Sequence, residues 1–282
     1  MFSYNKFDAD YHKSGVKPLP SPLVVSNIFS AHHYNWKEKF NFSGESHKYH
    51  EAVFVYEGEV TVSEDDRIYH LSERSLILHA PYEFHRIATD TGAKVMLFSF
   101  ETEELFPEAV YDGFFVLSIE EAESYRRLFD KIYEFYHLEQ SPPDPTLALE
   151  IASLLPSFFL SLSKAHSTHH SAVQSRSEAE YKKIVEVMRE SVSKNLSLED
   201  VAKEVHMSVS YLKHLFHKYA GVGAKHYYAT LRLNEVIKLL ECDLSIAEIA
   251  ARLNFSSPEY LSLFFKKHTG LPPGKFKSQN RR

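Results

Sequence analysis

Residues 198–221, LEDVAKEVHMSVSYLKHLFHKYAG, and residues 246–270, IAEIAARLNFSSPEYLSLFFKKHTG, repeat one pattern 48 residues apart. Leu198, Val201, Ala202 and Val205 are spaced i, i+3, i+4, i+7, and Ile246, Ile249, Ala250 and Leu253 repeat the same types. Each set lines one face of a helix. A short polar turn follows each, His206-Met207-Ser208 and then Asn254-Phe255-Ser256-Ser257. Its serine can accept the free N–H groups of a second helix, so a helix is expected to begin there. That helix carries Leu212, Leu215, Phe216 and Tyr219 in the first copy and Leu261, Phe264, Phe265 and His268 in the second, now 49 residues apart. Gly221 and Gly270 close the copies, where a left-handed cap needs no Cβ. A short helix, a tight turn with a buried apolar residue and a second helix with a polar outer face make a helix-turn-helix, here at 198–219 and 246–268. Such a unit offers a helix to the DNA major groove. Between the copies, Ala224 to Glu241 reads as one helix, about 27 Å long at about 1.5 Å per residue. That length can set two recognition helices about one DNA turn apart. Any three-helix bundle shows such stripes, but the duplication of both turns and both glycines argues against a plain bundle.

The charge is divided along the chain. Over 282 residues the net charge is −6, but residues 178–282 hold 17 Lys+Arg against 12 Asp+Glu, a net of +5, which leaves −11 for the rest. A polyanionic partner therefore suits the C-terminal part alone. The composition, 44% hydrophobic and 25% charged, is that of a globular chain with room for two domains. One cysteine, Cys242, excludes an intrachain disulfide and a Cys-rich zinc site. The first 25 residues place charges among their aromatics and lack the apolar core of a secretory signal. The most apolar stretch, Ile151 to Leu162, is short and carries Pro156, so no membrane span and a cytoplasmic location are expected.

Upstream, VVSNIF, EAVFVYEG, EVTVS, RIYHL, SLILHA and KVMLFSF between residues 24 and 100 read as short strands of a sandwich or barrel. From Ser118 to His137 and from about Pro145 to Lys164 the pattern turns helical, with Pro143 and Pro145 at the break. These predict an antiparallel helix pair. Leu147, Ile151, Leu154, Leu155 and Phe158 make an apolar stripe on its second helix, suited to a homodimer interface or to the core. The Ser/His-rich stretch 163–177 reads as a connector. Its His166, His169 and His170 could in principle ligate a metal, but a solvated tract offers nothing to orient them. The expected domains are 1–117, a barrel; 118–165, the helix pair; 166–177, a linker; and 178–282, the DNA-binding part.

The stretches MSVSYLKHLFHKYAGVGAKHYYATLRLNEVIKLL and IAEIAARLNFSSPEYLSLFFKKHTGLPPGKFK resemble the AraC/XylS family of transcription regulators, whose DNA-binding region carries two helix-turn-helix units. The family usually has Gly-Phe at Asn254-Phe255 and Arg at Lys277. The resemblance implies an α+β protein of two domains, a cupin-like β-barrel with a helix pair and an all-α domain with two helix-turn-helix motifs. Opposite the first apolar stripe lie Ser210, Lys213 and His214, which match the family's base contacts and can hydrogen-bond acceptors in the groove. The second recognition helix offers Glu259, which could accept from cytosine, Ser262, and Leu263, which could touch a thymine methyl. The first unit is therefore expected to supply most base specificity. Lys218, Lys266, Lys267 and Lys275, with the helix starts at Ser208 and Ser257, are expected on phosphates.

A metal cupin shows Gly, five residues, His-x-His, three or four residues, Glu, six residues, Gly. Here Glu45-Ser46-His47, Glu51 and Gly58 keep that spacing with Glu45 in place of the first His, and Pro81, Glu83 and His85 represent the second motif. His47, Glu51 and His85 are thus weak metal candidates, and no resident metal or cofactor is expected. Trp36, His47, Tyr49, His50, Tyr56, His79, Tyr82 and His85 are candidates to line a small-ligand site at the barrel mouth. Rings with polar tips suit a carbohydrate, and they equally suit packing. No GxxxxGK[ST] or GxSxG occurs, so no enzyme of those kinds is expected. The reading is a ligand-responsive regulator of double-stranded promoter DNA, meeting RNA polymerase if it activates. A cupin metalloenzyme fused to a DNA-binding module, or a constitutive regulator whose barrel only dimerises, are the alternatives.

Overall fold

The computed structural model describes residues 23–65, 67–111, 113–138, 144–165, 175–242 and 244–279. The N-terminal residues 1–22 and the linker histidines His166, His169 and His170 lie outside them. Nine strands come first: β1 (Val25–Trp36), β2 (Phe40–Asn41), β3 (His50–Gly58), β4 (Val60–Glu64), β5 (Arg67–Leu71), β6 (Ser75–His79), β7 (His85–Thr89), β8 (Ala93–Thr102) and β9 (Phe114–Val116). They form an antiparallel five-stranded sheet, β1-β8-β3-β6-β9, and a four-stranded sheet, β2-β7-β4-β5. The sheets face each other as two layers and do not close into one ring. Strands of two and three residues, β2 and β9, are too short to carry a ladder across the gap.

Strand alternation sorts the side chains. In β3, Val53 and Val55 join Val60, Val62, Ile77, Ile87 and Val95 between the sheets. Ala52 and Phe54 point the other way, onto α1 (Ile119–His137) and α2 (Pro145–Ala165). Ser118 caps α1 reciprocally with Glu121. Against Leu76, Phe98 and Phe100 of the sheet the helices bury Tyr125, Phe129 and Ile132 from α1 and Leu147, Ile151, Leu155 and Phe159 from α2. Most of the apolar stripe on α2 is therefore core, while Leu149 and Leu154 remain exposed. Contrary to the sequence expectation, α2 contains a window, Pro145–Leu162, with mean hydropathy 1.5, long and apolar enough to cross a membrane. Its serines lower hydropathy less than charges would, and its buried face lies on the sheet.

The C-terminal part is helical: α3 (Arg176–Glu190), α4 (Leu198–Glu204), α5 (Val209–Tyr219), α6 (Ala224–Glu241), α7 (Ile246–Arg252), α8 (Pro258–Thr269) and α9 (Pro273–Gln279). Helix α3 begins on the Ser175 cap, inside the stretch read as a connector. Its Tyr181, Ile184, Val185 and Met188 complete the core of the first unit around Leu212, Leu215 and Phe216. The second core gathers Ile249, Leu253, Leu261 and Phe265. Helix α6 belongs to both, through Tyr227 and Tyr228 in the first and Val236, Ile237 and Leu240 in the second. At the seam, buried Arg232 donates to Leu253 O at 2.7 Å and lies 4.1 Å over the Phe255 ring.

Candidate functional site

Each recognition helix, α5 and α8, starts on a serine. Ser208 Oγ accepts from Tyr211 N at 3.2 Å and Ser257 Oγ from Tyr260 N at 3.1 Å. The turn before each passes through left-handed backbone, at His206 (φ 59°) and Asn254 (φ 52°). That region costs a side chain about 1–2 kcal/mol and suits glycine, with asparagine next best. Asn254 can therefore stand where the resembling family has glycine. On the outer face of α5, Ser210, Lys213 and His214 are exposed. On α8, Glu259, Leu263, Lys266 and Lys267 are exposed, Leu263 by 67%. Ser262 is turned inward, donating to Pro258 O at 2.9 Å, and Ser257 draws back Glu259, holding its pKa below the usual carboxylate range. Lys218 reaches Ser177 Oγ at 3.1 Å, and Lys275 is exposed on α9. Between the units opens a cleft of about 1050 Å³, whose lining includes Lys213, Lys225, Arg232 and Lys267 against one carboxylate, Glu199.

The N-terminal site lies between the sheets, above the valine-filled end. Strand alternation brings Glu51 of β3, Glu64 of β4, His79 of β6 and His85 of β7 to one level, and all four are buried. His47 Nε2 stands 3.8 Å from Glu51 Oε2, and His85 Nε2 stands 3.3 Å from Glu51 Oε1, neither in hydrogen-bond geometry. Ser99 Oγ donates to Glu51 Oε2 at 3.1 Å. Burial alone would raise the Glu51 pKa, but His47, His85 and His79 outweigh it and hold the carboxyl well below its ordinary range. Burial likewise opposes the His85 imidazolium, yet Glu51 prevails and pushes it up to about 9. His79 contacts Glu64 Oε1 at 2.5 Å, but burial and His85 keep its pKa well below the ordinary value. Tyr49 stacks on His47 at 3.9 Å.

Of the eight ring residues read as ligand candidates, the fold brings together His47, Tyr49, His79 and His85. His50 is on the helix side of its sheet, bonded to Tyr111 Oη at 2.6 Å, and burial lowers its pKa to about 4. Tyr56 packs on the helix-side core beneath Arg126, and Trp36 stacks on Phe40 at 4.2 Å beside the valine cluster. Tyr82 points at the helical domain, where its Oη donates to Glu241 at 2.7 Å.

Sequence reasoning missed the residues that join the two parts. Arg86 of β7 donates to Lys218 O at 3.1 Å and Tyr219 O at 3.0 Å, the last carbonyls of α5. Asp65 pairs with Arg189 of α3 and accepts from Tyr227 Oη at 3.0 Å. Burial pushes its pKa to about 6, against the lowering pull of Arg189. Asn234 of α6 donates to Ser46 Oγ at 2.9 Å and Tyr82 O at 2.8 Å. On α6 the residues that meet the barrel, Tyr227, Asn234 and Glu241, recur every seven positions along one face. Lys225, Ala229 and Arg232, which line the cationic cleft, lie on another.

Two capped helix-turn-helix units around a cationic cleft, joined to a double-sheet domain with a polar interior, define a DNA-binding regulator with a ligand-binding domain. Residues 30–159 match the AraC-like ligand binding domain and residues 201–279 match the helix-turn-helix domain. The chain belongs to the AraC/XylS family of transcription regulators. It is 27% identical over 248 residues to the uncharacterized HTH-type transcriptional regulator YfiF of Bacillus subtilis, covering 82% of this chain and 77% of that one. It is 28% identical over 142 residues to the melibiose operon regulatory protein of Escherichia coli, covering 47% of each, so it spans about half of that relative. Among solved structures, an AraC-type DNA-binding domain regulator from Chromobacterium violaceum is 31% identical, over 36% of this chain and 93% of that one, with a TM-score of 0.34.

Proposed function

We propose that this regulator reads two successive major grooves of promoter DNA with α5 and α8, while a small polar molecule in the N-terminal domain sets how firmly the helical part is held. The observation that carries the reading is the division of α6 into two faces, one on the barrel and one in the cationic cleft. Docking to the barrel leaves Ser210, Lys213 and His214 exposed, so the docked arrangement is compatible with base contact. Lys213 would favour guanine. Lys218, Lys266, Lys267 and Lys275 would meet phosphates. A carbohydrate is the first effector class to test, supported by the Tyr49–His47 ring stack and by relatives named for melibiose and Msm operons. Leu149 and Leu154 on α2 are the apolar residues offered to a homodimer. The setting would be cytoplasmic, with RNA polymerase as partner if the chain activates.

Binding of the purified chain to DNA upstream of its own and neighbouring genes tests this, at several salt concentrations, with and without a sugar panel. Specific binding that falls with salt and changes with one sugar supports the reading. Equal affinity for all sequences at moderate salt overturns it.

A further inference from the structure

We propose that Glu45, His47, Glu51 and His85 bind one divalent first-row transition-metal ion inside the N-terminal domain. This deepens the sensor reading by giving the site a metal ligand, and it depends on that reading only for its regulatory consequence. One donor atom from each residue lies within 4.8 Å of all the others. Donors about 2.0–2.2 Å from one ion lie about 3.4 Å apart in a tetrahedron. His85 Nε2 lies 3.3 Å from Glu51 Oε1 and His47 Nε2 lies 3.8 Å from Glu51 Oε2, so the carboxylate sits between the two imidazoles with one oxygen toward each, close to that spacing.

Hydrogen bonding fixes which nitrogen is available. His47 Nδ1 is 2.9 Å from Tyr49 O, and His85 Nδ1 is 3.1 Å from Glu83 O. A carbonyl can only accept, so each Nδ1 carries a proton and Nε2 is the ligand atom; on His85 the ion takes the place of the Nε2 proton that the charge of Glu51 holds there, as metal binding to imidazole releases a proton. Both Nε2 atoms are buried without a hydrogen-bond partner, and the His85 side chain is 4% exposed. Buried polar atoms seldom stay unmatched, and an ion would match both together. Two imidazoles and two carboxylates carry the charge that neutralises a divalent cation, and N/O donors suit zinc, iron, cobalt or manganese over softer ions. Glu45 holds its place by a two-way backbone bridge to His85, 2.9 Å each way, with its carboxylate exposed at the mouth. The neighbouring trio Glu64, His79 and Glu83 differs: Arg67 already pairs with both of its carboxylates.

The test is titration of the metal-stripped full chain with Co²⁺ alone, read by visible absorption and by equilibrium dialysis, then displacement with Zn²⁺. One Co²⁺ per chain is expected. His47→Ala should abolish uptake, and Glu45→Gln, an exposed change that leaves the fold intact, should weaken it about tenfold or more. The triple variant His166→Ala/His169→Ala/His170→Ala should bind as the parent does. No stoichiometric uptake overturns the proposal, as does uptake unchanged in His47→Ala and Glu45→Gln, or uptake lost in the triple variant. Because no DNA is present, these outcomes are separate from failure of the regulator reading.

Discussion

Replacing Arg86 should loosen the first helix-turn-helix unit from the barrel. The residue is 8% exposed, and its guanidinium spans the junction. On the barrel side it donates to Asn41 Oδ1 at 3.0 Å and Phe42 O at 3.2 Å; across the junction it donates to the two terminal carbonyls of α5. Those carbonyls have no partner within the helix, and they lie at its negative end. A hydrogen bond from a charged group contributes about 1.5–3 kcal/mol. Two such bonds, less the desolvation relieved when the cation is removed, leave about 2 kcal/mol for Arg86→Met. That is roughly a thirtyfold shift toward the undocked arrangement. Gly221 gives an independent handle. A Cβ there would sit 2.5 Å from Arg86 Nε and 2.8 Å from Cδ, and its φ of 70° disfavours any side chain. Gly221→Ala should therefore loosen the same junction, and in the Arg86→Met background it should add only its backbone strain. Hydrogen exchange at the Ala220 amide, which bonds to Phe216 O at 2.9 Å, and energy transfer between dyes on the two parts report the docked fraction. Unchanged exchange and transfer in Arg86→Met, or strict additivity of the two variants, would refute the reasoning.

Lys213→Ala should cost about 1–3 kcal/mol on the preferred site and relax specificity at one base position, measured by competition with mutated half-sites. Lys266→Ala with Lys267→Ala should instead weaken all sequences alike and flatten the logarithmic salt dependence by about 0.9 for each phosphate no longer neutralised. Asp65 has a folded pKa of about 6 against an ordinary 3.8, so the folded state holds its proton more tightly. The sign follows: this contribution is fully present below about pH 4 and is lost as pH rises through 6, by up to about 3 kcal/mol. Charges facing Asp65 are Glu83 and Arg189, with Tyr227 bonded to it; Asp65→Asn should remove this part of the pH dependence in urea melts between pH 4 and 7. His206→Gly should raise stability by about 0.5–1 kcal/mol, because the left-handed turn penalty exceeds the added chain entropy. Asn254→Gly should change it little.

The helix-turn-helix units were legible because their signals are local. Apolar spacing, serine caps and a closing glycine all lie within one short stretch, and Ala224–Glu241 emerges with the bounds its periodicity predicts. The sheets were harder. Strand β7, HRIAT, is short, and β2 and β9 shorter still, so none gives a pattern that stands out from a loop. In β3 both faces are buried, so Glu51-Ala52-Val53-Phe54-Val55 shows no polar alternation to say which side faces inward. That is why His50 and Tyr56 read as equals of His47. The junction gave no signal: Arg86 and Tyr219 are 133 residues apart, and Asp65 and Tyr227 are 162 apart. Nothing near a lone arginine in a sequence says that it ends another domain's helix.

The loop between β6 and β7 touches both sites, and this makes a reciprocal test possible. Tyr82 N donates to His47 O at 2.6 Å, Glu83 O orients His85, and Tyr82 O and Oη meet Asn234 and Glu241 of α6. Tyr82 itself is left-handed, at φ 66°, a conformation an aromatic residue keeps only where its surroundings hold it. An ion drawn between His47 and His85 fixes the β7 end of this loop and the His47 carbonyl on which Tyr82 N rests, and α6 holds the other side of Tyr82. If the loop couples the two, Co²⁺ must change DNA affinity by the same factor by which DNA changes Co²⁺ affinity, since both describe one free-energy difference. Asn234→Ala combined with Glu241→Ala removes both hydrogen-bond contacts of α6 to Tyr82 while leaving every proposed ion ligand in place. It should bring both factors toward one together, with Co²⁺ affinity in the absence of DNA little altered. A variant that abolished one factor and preserved the other would violate linkage and would mean that the two measurements had followed different sites.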